Sequence, residues 1–143
     1  MVQVQTPIST FDHTLQISHQ WIQDVQRSGD FADEAQAFTA MRAVLHVLRD
    51  RITTDEAADL SAQLPILIRG VYFEGWRPSE TPTKERDLDA FLQHVREELS
   101  TNDLDPQNAV RATFKMLRER ATAGEVQHVK EMMPKEVQSL WPE

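Results

Sequence analysis

Cysteine is missing from the 143 residues, and with it go disulfides, thiolate metal sites, a cysteine nucleophile and thiol redox chemistry. Only four glycines occur, and none forms a phosphate-cradling loop or a GxSxG turn. Apolar runs are short. No stretch approaches the roughly 18 to 20 residues of a membrane span, and the opening MVQVQTPISTFDHT lacks the basic start and apolar core of a secretory leader. A basic excess is also lacking: the formal charge is -8, with 6 basic and 11 acidic residues over 1–80 and 9 and 12 over 81–143. Affinity for nucleic acid without sequence preference comes from Lys and Arg neutralising phosphates, so an acidic chain without a basic run is a poor candidate for it and none is expected as a partner. The expectation is a soluble cytoplasmic protein with neither cofactor nor membrane span, its oligomeric state open.

What is present is helical periodicity. Leu88, Phe91, Leu92, Val95 and Leu99 share one stripe of a helix expected over about 84–99. Phe11, Leu15, Ile22 and Val25, flanked by Trp21, mark a first helix over about 11–27. Between 33 and 51, Met41, Val44, Leu45 and Leu48 form one apolar face and Ala40, Ala43 and Val47 a second, which predicts a helix packed on two sides. Asp105 and Pro106 read as cap and first residue of a helix over about 106–121.

The chain also repeats itself. LRDRITTDE at 48–56 returns as LRERATAGE at 117–125, and a shift of 69 aligns 40–72 with 109–141 without a gap, identical at 9 of 33 positions. The repeats span about 11–76 and 84–141, joined by a proline-containing linker over 77–83. Two copies are too few for a solenoid. The expected architecture is therefore all-α, about eight helices in two pseudo-twofold related four-helix repeats sharing one core, a single domain over 1–143.

Most repeated residues fit a structural purpose. Thr53 with Glu56, and Thr122 with Glu125, have the spacing of a capping box and predict helices starting near 54 and 123. Arg51 and Arg120 suit a last helical turn. Pro65 and Pro134 would end those helices and open a short fourth, where Gly70 and Ser139 would allow close helix approach.

Two groups remain as candidate sites. Arg42, His46 and Arg49 lie along one helix face, as do Arg111, Lys115 and Arg118, so each half carries a cationic strip. One reading is an anion or acidic-partner site; the other, which the retained acids favour, has the arginines tying helices together through Asp50, Glu56, Glu119 or Glu125. On the structural reading both Arg49→Met and Arg118→Met would melt early. LPILIRGVYFEGW at 64–76 is the most apolar segment; Tyr72, Phe73 and Trp76 would form a partner surface or apolar pocket, or else core buried between the halves. The histidines at 13, 19, 46, 94 and 128 are read as scattered, without a metal-ligand spacing, and adjacent acids such as Glu97 and Glu98 as a solvated face. No catalytic, cofactor or metal residues are assigned.

The segments MRAVLHVLRDRI, SAQLP, LIRGVYFEGWRP, ATAGEVQHV and the closing LWP resemble the bacterial DUF2267 family over about nine tenths of the chain, from Phe11 onward. Ser61 departs from the family's usual small apolar residue. The resemblance implies a small bacterial helical protein of two related halves, associated with stress-response settings, and brings no activity or catalytic residues. The expected function is a noncatalytic interaction or regulatory protein binding another protein. The alternatives are a binder of a small anionic or amphipathic ligand, and an enzyme whose His and acids converge from separate helices.

Overall fold

The computed structural model describes residues 7–83 and 87–142. Among them the chain forms eight α-helices, one turn of 3₁₀ helix and no strand. The helices are α1 Ser9–Gly29, α2 Glu34–Arg51, α3 Thr54–Ser61, α4 Ile66–Phe73, α5 Leu88–Leu99, α6 Pro106–Arg120, α7 Ala123–Glu131 and α8 Lys135–Gln138. The 3₁₀ turn Pro78–Glu80 lies within the expected linker. None of the helices is long and apolar enough to cross a membrane among the described residues.

Side-chain caps set most helix starts. Asp33, Asp87 and Asp105 accept from the amides of Gln36, Ala90 and Asn108 at 2.8, 2.8 and 2.9 Å, and Pro106 opens α6. The expected beginning of α5 near 84 falls partly on 84–86, outside the described residues; the Asp87 cap puts the first helical residue at Leu88. Thr53 and Thr122 accept from the amides of Glu56 and Glu125 at 3.2 and 3.3 Å. The return leg of a capping box is made at neither end: the Thr122 amide donates to Gln63 Oε1 at 3.1 Å, and Glu56 and Glu125 turn toward each other. Pro65 and Pro134 stand one residue ahead of α4 and α8, with ψ 150 at both.

α2 is the axis of the molecule. It packs against α1, α4, α5 and α6, and residues 43–49 are buried without a break. Around it Val25, Phe91, Phe114, Met116 and Leu117 are fully enclosed, and Trp141 stacks on Phe114 with ring centroids 3.9 Å apart. α1 packs on α6, where Arg120 Nε donates to buried Asp24 at 2.7 Å and Asn108 Nδ2 to the Gly29 carbonyl at 2.8 Å. α3 packs on α7.

Three expectations change. The buried face of α1 carries Thr14, Ser18, Trp21, Asp24 and Val25, whereas Phe11 is exposed and Leu15 and Ile22 are half-buried. Two of the polar residues there are used, Asp24 by Arg120 and Thr14 by α4, whereas the buried Ser18 hydroxyl has no hydrogen-bond partner: Thr14 Oγ1 accepts from the Leu67 amide at 3.0 Å, supplying from α1 the cap that Pro65 cannot give α4. Gly70 permits no close approach, since a Cβ there would meet nothing within 4 Å. The apolar 64–76 segment is not sunk between halves either: in α4 only Ile68 and Tyr72 are buried, and Ile66 and Leu67 stand in solvent.

Thr53→Ala and Thr122→Ala should each lower unfolding free energy by about 0.5 to 2 kcal/mol, the usual range for a threonine cap. Urea titration of both variants measures this, and two losses under about 0.3 kcal/mol would show that Gln63 and the packing of α3 on α7 set these helix starts without the hydroxyls.

Candidate functional site

The first cationic strip is consumed by the fold. Arg49 is buried, and its Nη1 donates to the carbonyls of Tyr72 at 2.8 Å and Glu74 at 2.7 Å while Nε and Nη2 reach the Asp50 carboxylate at 2.8 and 3.2 Å. A guanidinium placed against the end of α4 satisfies carbonyls that a helix terminus leaves open and complements its dipole. His46, also buried, donates from Nε2 to the Val71 carbonyl at 2.7 Å, which turns Nδ1 toward Glu98 Oε2 at 3.5 Å. Arg42 Nε donates to Glu74 at 2.9 Å and holds that carboxyl below the usual glutamate range. Among the described residues the first strip uses Asp50 of the foreseen carboxylate partners, and the α4 carbonyls are the larger part of the answer.

The second strip has a different fate. Arg111, Lys115 and Arg118 are exposed on α6, and no ion pair or hydrogen bond holds their side chains among the described residues. A shift of 69 carries the Arg49 acceptors Tyr72 and Glu74 to Trp141 and Glu143, and Glu143 lies outside the described residues. The same residue type at the same place in the repeat is a buried tie in one copy and a solvated cation in the other. An open cleft of about 360 Å³ beside the first strip is lined by Arg42, Asp50, His94, Glu97 and Glu98, a mixture of both charge signs.

The three aromatic candidates also separate. Tyr72 is wholly buried, its hydroxyl donating to the Ala57 carbonyl at 2.9 Å, and burial pushes its pKa upward. It is a core residue and presents nothing to a partner. Phe73 and Trp76 are half-buried with ring centroids 5.1 Å apart, brought together by the turn through Gly75 at φ 69, a left-handed conformation that favours glycine.

The exposed apolar surface lies elsewhere, where α1 begins and α4 begins. Ile8 and Phe11 are 48% and 55% exposed, and Ile66 and Leu67 57% and 47%. Thr14 ties the two helices at this end, and a shallow cleft of about 280 Å³ between them is lined by His13, Ile17, Trp21, Leu64, Ile66 and Arg69. Residues 69 further along from Ile66 and Leu67 are Lys135 and Glu136, also exposed on α8. The helix start therefore accommodates charged side chains at these two places, and in α4 it carries isoleucine and leucine.

A third grouping escaped the reading of the histidines. Glu56 on α3 and Glu125 and His128 on α7 bring one donor atom each within 4.8 Å of one another. Burial, then the facing Glu56 carboxylate, push the Glu125 carboxyl up to about 8, with the nearby Asp59 adding to the effect. Glu125 and His128 stand at Glu-x-x-His spacing, the signal that was there to be found; taking the two glutamates as caps concealed it.

A family model described as "Uncharacterized conserved protein (DUF2267)" matches residues 18–140. No curated protein matches the chain.

Arg49→Met keeps the aliphatic stem and removes charge-assisted bonds worth about 1.5 to 3 kcal/mol, so it should melt well below wild type. Arg118→Met, losing only a solvated charge, should stay within about 0.5 kcal/mol; equal losses in differential scanning calorimetry would refute the split. Glu125 has a folded pKa raised above its unfolded value of 4.5, so the folded state binds the extra proton between them. That stability is fully present below about 4.5 and lost as pH rises through about 8. With chelator present, wild type should lose stability across this window relative to Glu125→Gln. Parallel pH profiles would contradict it; the other ionisable groups beside Glu125 are Glu56 and Asp59 on α3 and His128 on α7.

Proposed function

The chain belongs to the DUF2267 family, and from that premise we propose that it is a noncatalytic cytoplasmic interaction protein that binds another protein through the apolar face formed by Ile8, Phe11, Ile66 and Leu67. One observation carries this reading. Two large aliphatic side chains occupy exposed places at the start of α4 where the corresponding places of α8 hold lysine and glutamate, so folding does not require them. Apolar surface retained where the fold accepts charge is characteristic of a contact surface. The commitment of His46 to a backbone carbonyl and of Arg49 to the end of α4 supports a noncatalytic role for the first strip.

The proposal extends to the relation between halves, with residues about 11–76 and about 84–141 as a pseudo-twofold pair. The caps at Thr53 and Thr122 and the helix starts at 54 and 123, then at 66 and 135, support it by keeping the shift of 69. Superposition of the Cα traces of 40–72 and 109–141 is the check.

A second reading, a binder of small anions, is favoured by the exposed trio Arg111, Lys115 and Arg118. Phosphate would then raise the melting temperature of wild type but not of Arg118→Met, in proportion to its concentration over its dissociation constant.

The double substitution Ile66→Lys/Leu67→Glu gives α4 the exposed residues of α8. It should leave stability within about 0.5 kcal/mol of wild type and abolish capture of a protein that the wild-type chain retains from host lysate. Equal capture by both forms, or a variant that melts far earlier, would overturn the contact-surface reading.

A further inference from the structure

We propose that Glu56, Glu125 and His128 bind a single divalent first-row transition cation of zinc-like character, held between α3 and α7. The site is separate from the apolar face and does not depend on the interaction role.

Glu56 is only 7% exposed, and its Oε1, like that of Glu125, is buried without a hydrogen-bond partner. The two carboxyl groups meet here from two helices, and a hydrogen bond between them requires that Glu125 keep its proton. Buried acceptors left unsatisfied are costly, and charged ones more so. A shared proton relieves one oxygen and leaves the imidazole unused. A divalent cation neutralises both carboxylates and takes the imidazole as a third ligand. All three donors already lie within 4.8 Å of one another.

The helices deliver these groups by simple register. Glu125 and His128, three residues apart, share one face of α7, and Glu56 enters from α3, which packs against it. Four-coordinate zinc, with ligands at about 2.0 to 2.2 Å, keeps its donors about 3.4 Å apart, so no pair in the cluster has to close by more than about 1.4 Å. His128 is exposed and Glu125 half-exposed, so the adjustment falls on the side chains freest to move. The open side leaves room for water in the remaining position.

The donor set selects the ion. Imidazole disfavours magnesium and calcium, which take oxygen ligands, and the lack of thiolate disfavours soft ions. One nitrogen and two carboxylate oxygens suit zinc. The ligands also bridge positions that the repeat makes equivalent: Glu56 and Glu125 stand 69 apart, and Asp59, which adds negative charge beside Glu125, corresponds to His128.

The test is isothermal titration of the full chain, stripped with chelator, using zinc and magnesium chlorides separately, with melting curves in parallel. Zinc should bind at one equivalent and raise the melting temperature, and magnesium at the same concentration should do neither. His128→Asn, at an exposed position, and Glu125→Gln should each weaken zinc by about tenfold or more while remaining folded. No zinc heat, equal binding by magnesium, or zinc binding unchanged in both variants would overturn the proposal. The first of these, joined to a melting temperature raised by Glu125→Gln, would assign the cluster to a shared proton alone.

Discussion

Residues 43–49 of α2 are buried without a break, so for two turns that helix has no side facing water. Every polar group there must find its partner inside the protein or forfeit hydration with nothing in return. His46 and Arg49 answer that demand with the carbonyls of Val71, Tyr72 and Glu74, fixing where α4 ends. The fixed end of α4 sets the turn through Gly75 and the packing of Phe73 on Trp76. At its other end α4 is held by Thr14 of α1. A short helix without a capping side chain of its own is thus pinned at both termini by neighbours, and this is what presents Ile66 and Leu67 to solvent.

Helix ends were the legible part of this sequence because their chemistry is local. Asp105 before Pro106, and threonine three residues ahead of glutamate, need only their neighbours in the chain to act as caps, and they cap where expected. Faces were harder to read. Hydrophobicity favoured Phe11, Leu15 and Ile22 for the buried side of α1, but that side is chosen by long-range hydrogen bonds through Thr14 and Asp24. Arg49 and Arg118 are indistinguishable by pattern and differ in what the fold brings to them. The convergence of Glu56 on Glu125 depends on α3 meeting α7, which spacing along the chain does not encode, although Glu125-x-x-His128 offered a partial signal.

The two copies of the repeated phrase have been put to unlike uses. In the first, cations are absorbed by the core and the exposed start of the last helix is apolar; in the second, cations are solvated and that start is charged. The chain carries its own comparison in each case: where a residue type changes between copies without disturbing the helix, the fold is indifferent and the choice needs another cause. At Glu56 and Glu125 the copies use the same side chain at the same place and bring the two together.

The stacking of Trp141 on Phe114 bears on how the protein is made. Phe114 lies in the middle of α6, fully enclosed, and one wall of its enclosure is the ring of Trp141. A ribosome delivers the chain from its N-terminal end, so α2 and its first-half neighbours emerge while Phe114 still lacks that wall. Until Trp141 arrives, the nascent protein holds an aromatic face open. Completion of the core around α6 therefore waits until Trp141 has left the ribosome, and a ribosome stalled before that point would display a sticky, half-closed bundle for chaperones to recognise.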